Sequence, residues 1–249
     1  MRNASQRANK RSTLTILFIR LRSSASQSPF SAWLFLLSPF PFLLSPLFAY
    51  AHQLRSLLSH LNLTTSINMF IANQLKTTNR AELLLYLWQV EDILRAYDCD
   101  IDKLKQGYLT RFSLEAEQQA QLEQWYADLC TMMLEEGVRQ QGHLQICKNV
   151  LIGMEDLHAQ LLNSAKFPYY KEMYYRVLPF IVELRKKGAD TTESELHVCF
   201  NALYGYMMLR LKNQPISDDT QTAIKHISTL LGQLSDYYLK DKQEPLEFD

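Results

Sequence analysis

Glu91 is the residue whose position most asks for a chemical explanation. On a helical wheel at about 100° per residue it falls between Leu84 and Leu87 and close to Trp88, so its carboxylate sits at the edge of an apolar stripe. Arg95 lies on the same side, one turn on. A charge placed there either joins an i,i+4 ion pair at the core boundary or reaches into a polar cavity. Asp92 sits with Glu82 and Gln89 on the opposite, polar sector, where the wheel makes Asp92 solvated.

A second feature is Glu155-x-x-His158. Residues at i and i+3 on a helix project side by side, which is the spacing that di-iron carboxylate bundles use. Such a centre needs a second copy and two further carboxylates. The nearest approach to one, Glu193-Ser194-Glu195-Leu196-His197, has its acids at the wrong offsets. Glu155 and His158 therefore read as a pair on a helix surface, and no metal is expected. His143 and His158 both abut an apolar stripe, through Cys147 and Met154, and read as structural histidines with satisfied ring nitrogens. The segment from Phe167 to Arg176 is rich in tyrosine. Tyr169, Tyr170, Tyr174 and Tyr175 either form the wet rim of a core or line an interface, since tyrosine joins a rigid apolar ring to a polar tip. A phosphate-cradling glycine loop, a Gly-x-Ser-x-Gly elbow and a His-Glu-x-x-His helix are all missing, so no cofactor is expected.

The elements that would position these residues are helices. Apolar residues recur at three and four from Asn79 onward, no run alternates with period two, and the seven glycines are isolated. Asn79, with Thr77 and Thr78, offers N-cap oxygens for a helix over residues 81–97, and Asp100 caps a short one reaching toward Arg111. Ser113 is placed to cap a long helix that runs to about Gln140 and breaks at Gly142; the next spans His143 to Leu162. Pro168 suits the first turn of a helix ending at Lys187, with Pro179 expected to kink it. Thr191 or Thr192 caps a helix reaching Lys212, and Ser217 opens the last. Short loops between long amphipathic helices imply antiparallel neighbours. The expected fold is all-α, an up-and-down bundle of about six helices forming a single domain over residues 69–249.

Charge divides the chain. Residues 1–68 hold seven Lys or Arg and no acid, which leaves nineteen of the twenty-six basic residues against all twenty-six acidic ones, a balance of −7 for the remainder. An acidic domain repels a phosphate backbone, so nucleic-acid binding is disfavoured. The one tight basic run, Arg185-Lys186-Lys187 before Gly188, is what a helix C-terminus favours. Four widely spaced cysteines without a Cys-x-x-Cys pair read as reduced thiols in the core, which fits a cytoplasmic setting.

The first sixty-eight residues are a low-complexity stretch of Ser, Leu, Phe and Pro, expected to be disordered. Pro39, Pro41 and Pro46 argue against a membrane span across Trp33 to Ala51. Three readings stay open and are ranked in this order. The start codon is misplaced and the true start is Met69; the segment is a targeting segment, either an Arg- and Ser-rich organellar transit peptide or a signal peptide with Ala49-Tyr50-Ala51 resembling a cleavage site that would make the protein exported; or it spans a membrane.

Met69-Phe70-Ile71-Ala72, Leu87-Trp88-Gln89-Val90-Glu91-Asp92, Gly142-His143-Leu144-Gln145-Ile146 and Phe180-Ile181-Val182-Glu183-Leu184-Arg185 together resemble domain of unknown function 4924, a family of small bacterial proteins. The resemblance covers residues 69–249 and none of the preceding segment. It implies a cytoplasmic helical protein that starts at Met69, and it supplies no activity, substrate or catalytic residue. Two functions compete. The preferred one is a non-enzymatic helical module binding a protein partner or itself. The other is a small-molecule-binding protein or enzyme with a site between helices, built from Glu91, Arg95, His143 and His158.

Overall fold

The computed structural model of the chain describes residues 67–112, 114–188 and 192–249, with side chains from residue 71 onward. The expectations for the opening segment, and Ser113 and Thr191 as caps, lie outside the described residues. Within them the protein is all-α. Its helices are α1 (Ile67–Thr78), α2 (Arg80–Ala96), α3 (Ile101–Gly107), α4 (Ala116–Glu135), α5 (Gln145–Asn163), α6 (Pro168–Lys186), α7 (Glu195–Leu211) and α8 (Asp218–Gln243), with a 3-10 turn at Leu109–Arg111. Helix α1 precedes the first helix expected from the sequence, and the short α3 is the one that Asp100 was expected to cap.

Capping chemistry explains most of the boundaries. Asn79 ends α1 and starts α2 in one residue: its extended backbone lets the side chain accept from the Glu82 N–H, while the Thr77 and Thr78 hydroxyls turn back to Gln74 O. Asp100 accepts from the Asp102 and Lys103 N–H groups at the head of α3. Two boundaries differ from the sequence reading. Helix α4 stops at Glu135, because Gly137 takes φ +68 and the Val138 N–H bonds back to Met133 O, a left-handed C-terminal closure that a side chain would strain. Helix α7 is capped by Ser194, whose hydroxyl accepts from the His197 N–H, and not by Thr192. Gly188 follows the Arg185-Lys186-Lys187 run with φ +105, as that run implied, and α6 continues through Pro179 as one helix.

The described residues fall into two compact units, one of residues 67–170 with 231–249 and one of residues 171–230, so the division runs inside α6 and α8. In the first, α2 presents Leu84, Leu87, Trp88 and Leu94 to the core and packs against α1 and α5. Helix α5 contributes Cys147, Met154, Leu157 and Leu161, and α4 contributes Leu122, Tyr126, Leu129 and Met133. In the second, Met173, Val177 and Ile181 of α6 are buried, as are Leu196, Phe200 and Leu203 of α7 and Ile224, Ile227 and Leu230 of α8. Cys99, Cys130, Cys147 and Cys199 are all free and buried. Among the described residues no helix is long and apolar enough to cross a membrane.

Candidate functional site

Helix α2 delivers Glu91 and Arg95 to the loop that joins α4 to α5. Glu91 is 1% exposed, and both of its carboxylate oxygens are occupied. Oε1 accepts from the Leu144 N–H at 2.8 Å and from the Cys147 thiol at 3.2 Å. Oε2 lies 2.6 Å from His143 Nδ1, which donates to it, and 3.7 Å from the Arg95 guanidinium. A carboxylate has about four lone-pair positions, and four groups surround this one. Arg95 serves the same loop from the other side: it donates to Val138 O at 3.3 Å and to Gly142 O, and pairs with Asp92 at 3.0 Å. Asp92 is thus in an ion pair, with its side chain 46% exposed.

The local reason for this arrangement is the start of α5. Leu144 is its N-cap residue and has no capping side chain of its own. Four N–H groups at a helix start lack partners, and here carboxylates from other helices serve. Glu91 takes the Leu144 N–H, and Glu136, just past α4, takes the Gln145 N–H at 2.6 Å. Negative charge at a helix N-terminus also meets the positive end of the macrodipole. His143 completes the cluster with its ring stacked on the Trp88 indole, centroids 4.3 Å apart and planes 16° from parallel; its side chain is 28% exposed.

This geometry limits the chemistry. A nucleophilic cysteine needs an accessible thiolate. Burial pushes the Cys147 thiol far up, and the adjacent Glu91 charge pushes it further, so the group is held as a donor. Glu91 is likewise taken up by internal partners. Of Glu91, Cys147 and His143, the histidine ring is the one that meets solvent.

The sequence-selected residues therefore separate. Glu91, Arg95 and His143 come together, joined by Cys147 and Trp88, which the sequence reading had treated as core. His158 belongs elsewhere: it is 8% exposed, and its Nδ1 lies 2.6 Å from the Tyr170 hydroxyl. Tyr170 is fully buried, with Tyr237 edge-on to it at 6.0 Å, which corrects its place among the surface tyrosines. Tyr174 is half-buried, and its hydroxyl donates to Glu195 at 2.8 Å; burial, then that carboxylate, push its pKa up to about 12. Tyr169 and Tyr175 are open to solvent, at 60% and 64%. Glu82 departs from the sequence reading too. It is half-buried, and desolvation lifts its carboxyl to about 7 against a hydrogen bond from Asn79. Among the described residues no group of three or more His, Cys, Asp or Glu is disposed to hold a metal ion.

Two of the segments that carry the family resemblance, residues 87–92 and 142–146, meet at this cluster through Glu91, His143 and Leu144. The profile of the family described as domain of unknown function (DUF4924) matches residues 69–245. No curated protein and no solved structure matches the chain.

Proposed function

We propose that the chain, which belongs to the DUF4924 family, is a non-enzymatic helical module that pairs with a second copy of itself through the outward face of α6. The observation behind this reading is the exposure of apolar side chains at helical spacing. Tyr175 is 64% and Val182 43% exposed, and Pro179 between them is exposed as well. The opposite side of the same helix buries Met173, Val177 and Ile181. A solvated outer face ordinarily carries polar residues at such positions.

The charges on this face suit a copy of itself. Glu172, Arg176, Glu183 and Lys186 are exposed and alternate in sign along the helix. An antiparallel pairing about a two-fold axis near Pro179 sets Glu172 against Lys186 of the second copy, and Arg176 within a residue of Glu183, as an isologous contact requires. One helix face buries less than the roughly 800 Å² per partner of a standard interface, so the dimer is weak. The four buried thiols support a reducing, cytoplasmic setting.

A ligand site or active centre around Glu91, Arg95 and His143 is the competing reading. It has less support, because Glu91 and Cys147 are committed to holding the start of α5. Sedimentation equilibrium tests the preferred reading. The expected result is reversible dimerisation with a Kd on the order of 10 µM, about −7 kcal/mol, abolished by Tyr175→Glu with Val182→Lys. A wild-type chain that stays monomeric well above that concentration, or a double variant that dimerises equally well, overturns it.

A further inference from the structure

The last residues of the chain are bound as a ligand would be. Helix α8 ends at Gln243, and Pro245 cannot extend it. The chain then folds over the turn between α5 and α6, just beyond the residues that the family profile matches. Asp249 Oδ2 accepts from the Ser164 hydroxyl at 3.0 Å and from the Ala165 N–H. Phe248 packs on Phe167 with centroids 5.5 Å apart, and Phe167 meets Tyr237 edge-on at 5.3 Å. Glu247 lies 3.7 Å from the Lys166 ammonium, and the Leu246 N–H donates to Asp241 at 3.0 Å.

The receiving side is a built site. Ser164 is 3% exposed, and its hydroxyl also accepts from the Lys166 N–H at 3.2 Å, which fixes its orientation toward the tail. It supplies a buried hydroxyl, a backbone donor, an ammonium group and an aromatic pair. The tail supplies two carboxylates with a phenyl ring between them. Each feature on one side has its complement on the other, so the ligand class is an acidic peptide with a central aromatic residue.

We propose that the α5–α6 turn, with Phe167 and Tyr237, is a receptor for the Glu247-Phe248-Asp249 tail, and that it accepts the tail of a second copy as well as its own. The occupant seen is a segment of this chain, so the tail of another copy makes the same contacts with no new chemistry, as in an exchange of identical elements between protomers. A short tether holds its own tail at an effective concentration on the order of millimolar. The cis form therefore dominates in dilute solution and masks the site from other tails. The inference does not rest on pairing through α6.

Two full-length variants separate site from tail. One carries Phe248→Ala and Asp249→Ala, leaving the turn open. The other carries Ser164→Ala and Lys166→Glu, leaving the tail without its receptor. Both also carry Tyr175→Glu and Val182→Lys, so the face of α6 contributes nothing. Circular dichroism first confirms that each folds. Sedimentation velocity is then expected to show a one-to-one complex in the mixture and none in either variant alone. A mixture that sediments as the sum of its components at about millimolar concentration overturns the second-copy assignment. A synthetic Leu-Glu-Phe-Asp peptide supplies the other arm. It should move the Ala165 and Lys166 amide resonances of the open-turn variant, and bind wild-type protein about tenfold more weakly because the tail competes. If those amides do not move, the turn is not a receptor.

Discussion

Glu91 and Asp249 each hold a backbone donor at the start of a helix or turn, and they do so in opposite settings. Glu91 reaches from the middle of α2 into the interior, is 1% exposed, and meets the Leu144 N–H, the Cys147 thiol, His143 and Arg95. Asp249 comes from the tail, lies at the surface, and meets the Ala165 N–H and the Ser164 hydroxyl. The bonds are of one kind; the surroundings are not. In the interior a donor stripped of its acceptor has no water to turn to, whereas at the surface water replaces the lost partner. The same constellation therefore builds a fixed joint at Glu91 and an exchangeable contact at Asp249.

The largest expected effect follows from the buried member. Glu91→Ala leaves the Leu144 N–H and the Cys147 thiol without their acceptor and takes one partner from Arg95, which keeps Asp92, so the cost falls between the about 1 kcal/mol of an exposed pair and the roughly 3–5 kcal/mol of a fully buried one. Glu91→Gln keeps an oxygen for Leu144 and should cost less. In a double-mutant cycle with Arg95→Ala, contacting residues couple by about 0.5–3 kcal/mol. The 3.7 Å separation, with Arg95 also bonded to Asp92 and two loop carbonyls, puts this pair toward the low end. Urea denaturation measures all four species. A neutral or stabilising Glu91→Ala would mean that Glu91 is no structural joint and would make it a candidate ligand-binding residue.

Much of that joint was legible in the sequence, but not its completion. The wheel placed Glu91 and Arg95 together because i and i+4 share a face, a purely local relation. His143 lies fifty-two residues further on, and nothing local ties its ring to Glu91. A backbone donor such as the Leu144 N–H carries no sequence signal at all. The end of α4 was legible and misplaced: Gly137 and Gly142 are both helix terminators by residue type, and the closure of Val138 onto Met133 selects the first. At α7 the expected caps were Thr191 or Thr192, and the helix that buries Leu196, Cys199 and Phe200 begins after Ser194 instead. Tyr170 looked like its neighbours. Its pairing with His158 across the α5–α6 turn and its edge-on contact with Tyr237 set it inside.

Glu82 lies between these two settings, half-buried on α2. The wheel of α2 put it on the polar sector, but α1 packs against α2, an element that wheel does not contain. Burial dominates and lifts the carboxyl to about 7 from 4.5, with the Asn79 side chain opposing it. The sign follows from linkage: a carboxyl that binds its proton more tightly when folded is most favourable below about 4.5 and loses that advantage as pH rises through about 7. Glu82→Gln, which stays neutral, should stabilise the protein at pH 8 by roughly 1–3 kcal/mol after allowance for partial exposure, and change little at pH 4.5. Denaturation midpoints of variant and wild type across that range provide the check. A variant no more stable than wild type at high pH would mean that the carboxylate is well solvated.

The smallest expected effect is at the surface, and it distinguishes a docked tail from a loose one. Asp249→Asn should leave the denaturation midpoint in place at neutral pH, because water takes over what the carboxylate gave up. Its signature is in titration. The Ala165 N–H first, then the Ser164 hydroxyl, hold the Asp249 carboxyl below its ordinary value of 3.8. The contact is fully made above that value and is lost as pH falls through the lowered one, so the tail releases only in acid. Carbon-detected NMR should find Asp249 titrating low, with the Ala165 amide following it. Ser164→Ala should return the value part of the way, because the backbone donor remains. If Asp249 titrates at its ordinary value while Ala165 does not respond, the tail is not seated on the turn. The parallel with Glu91 would then fail at the exposed end, and the buried joint would stand alone.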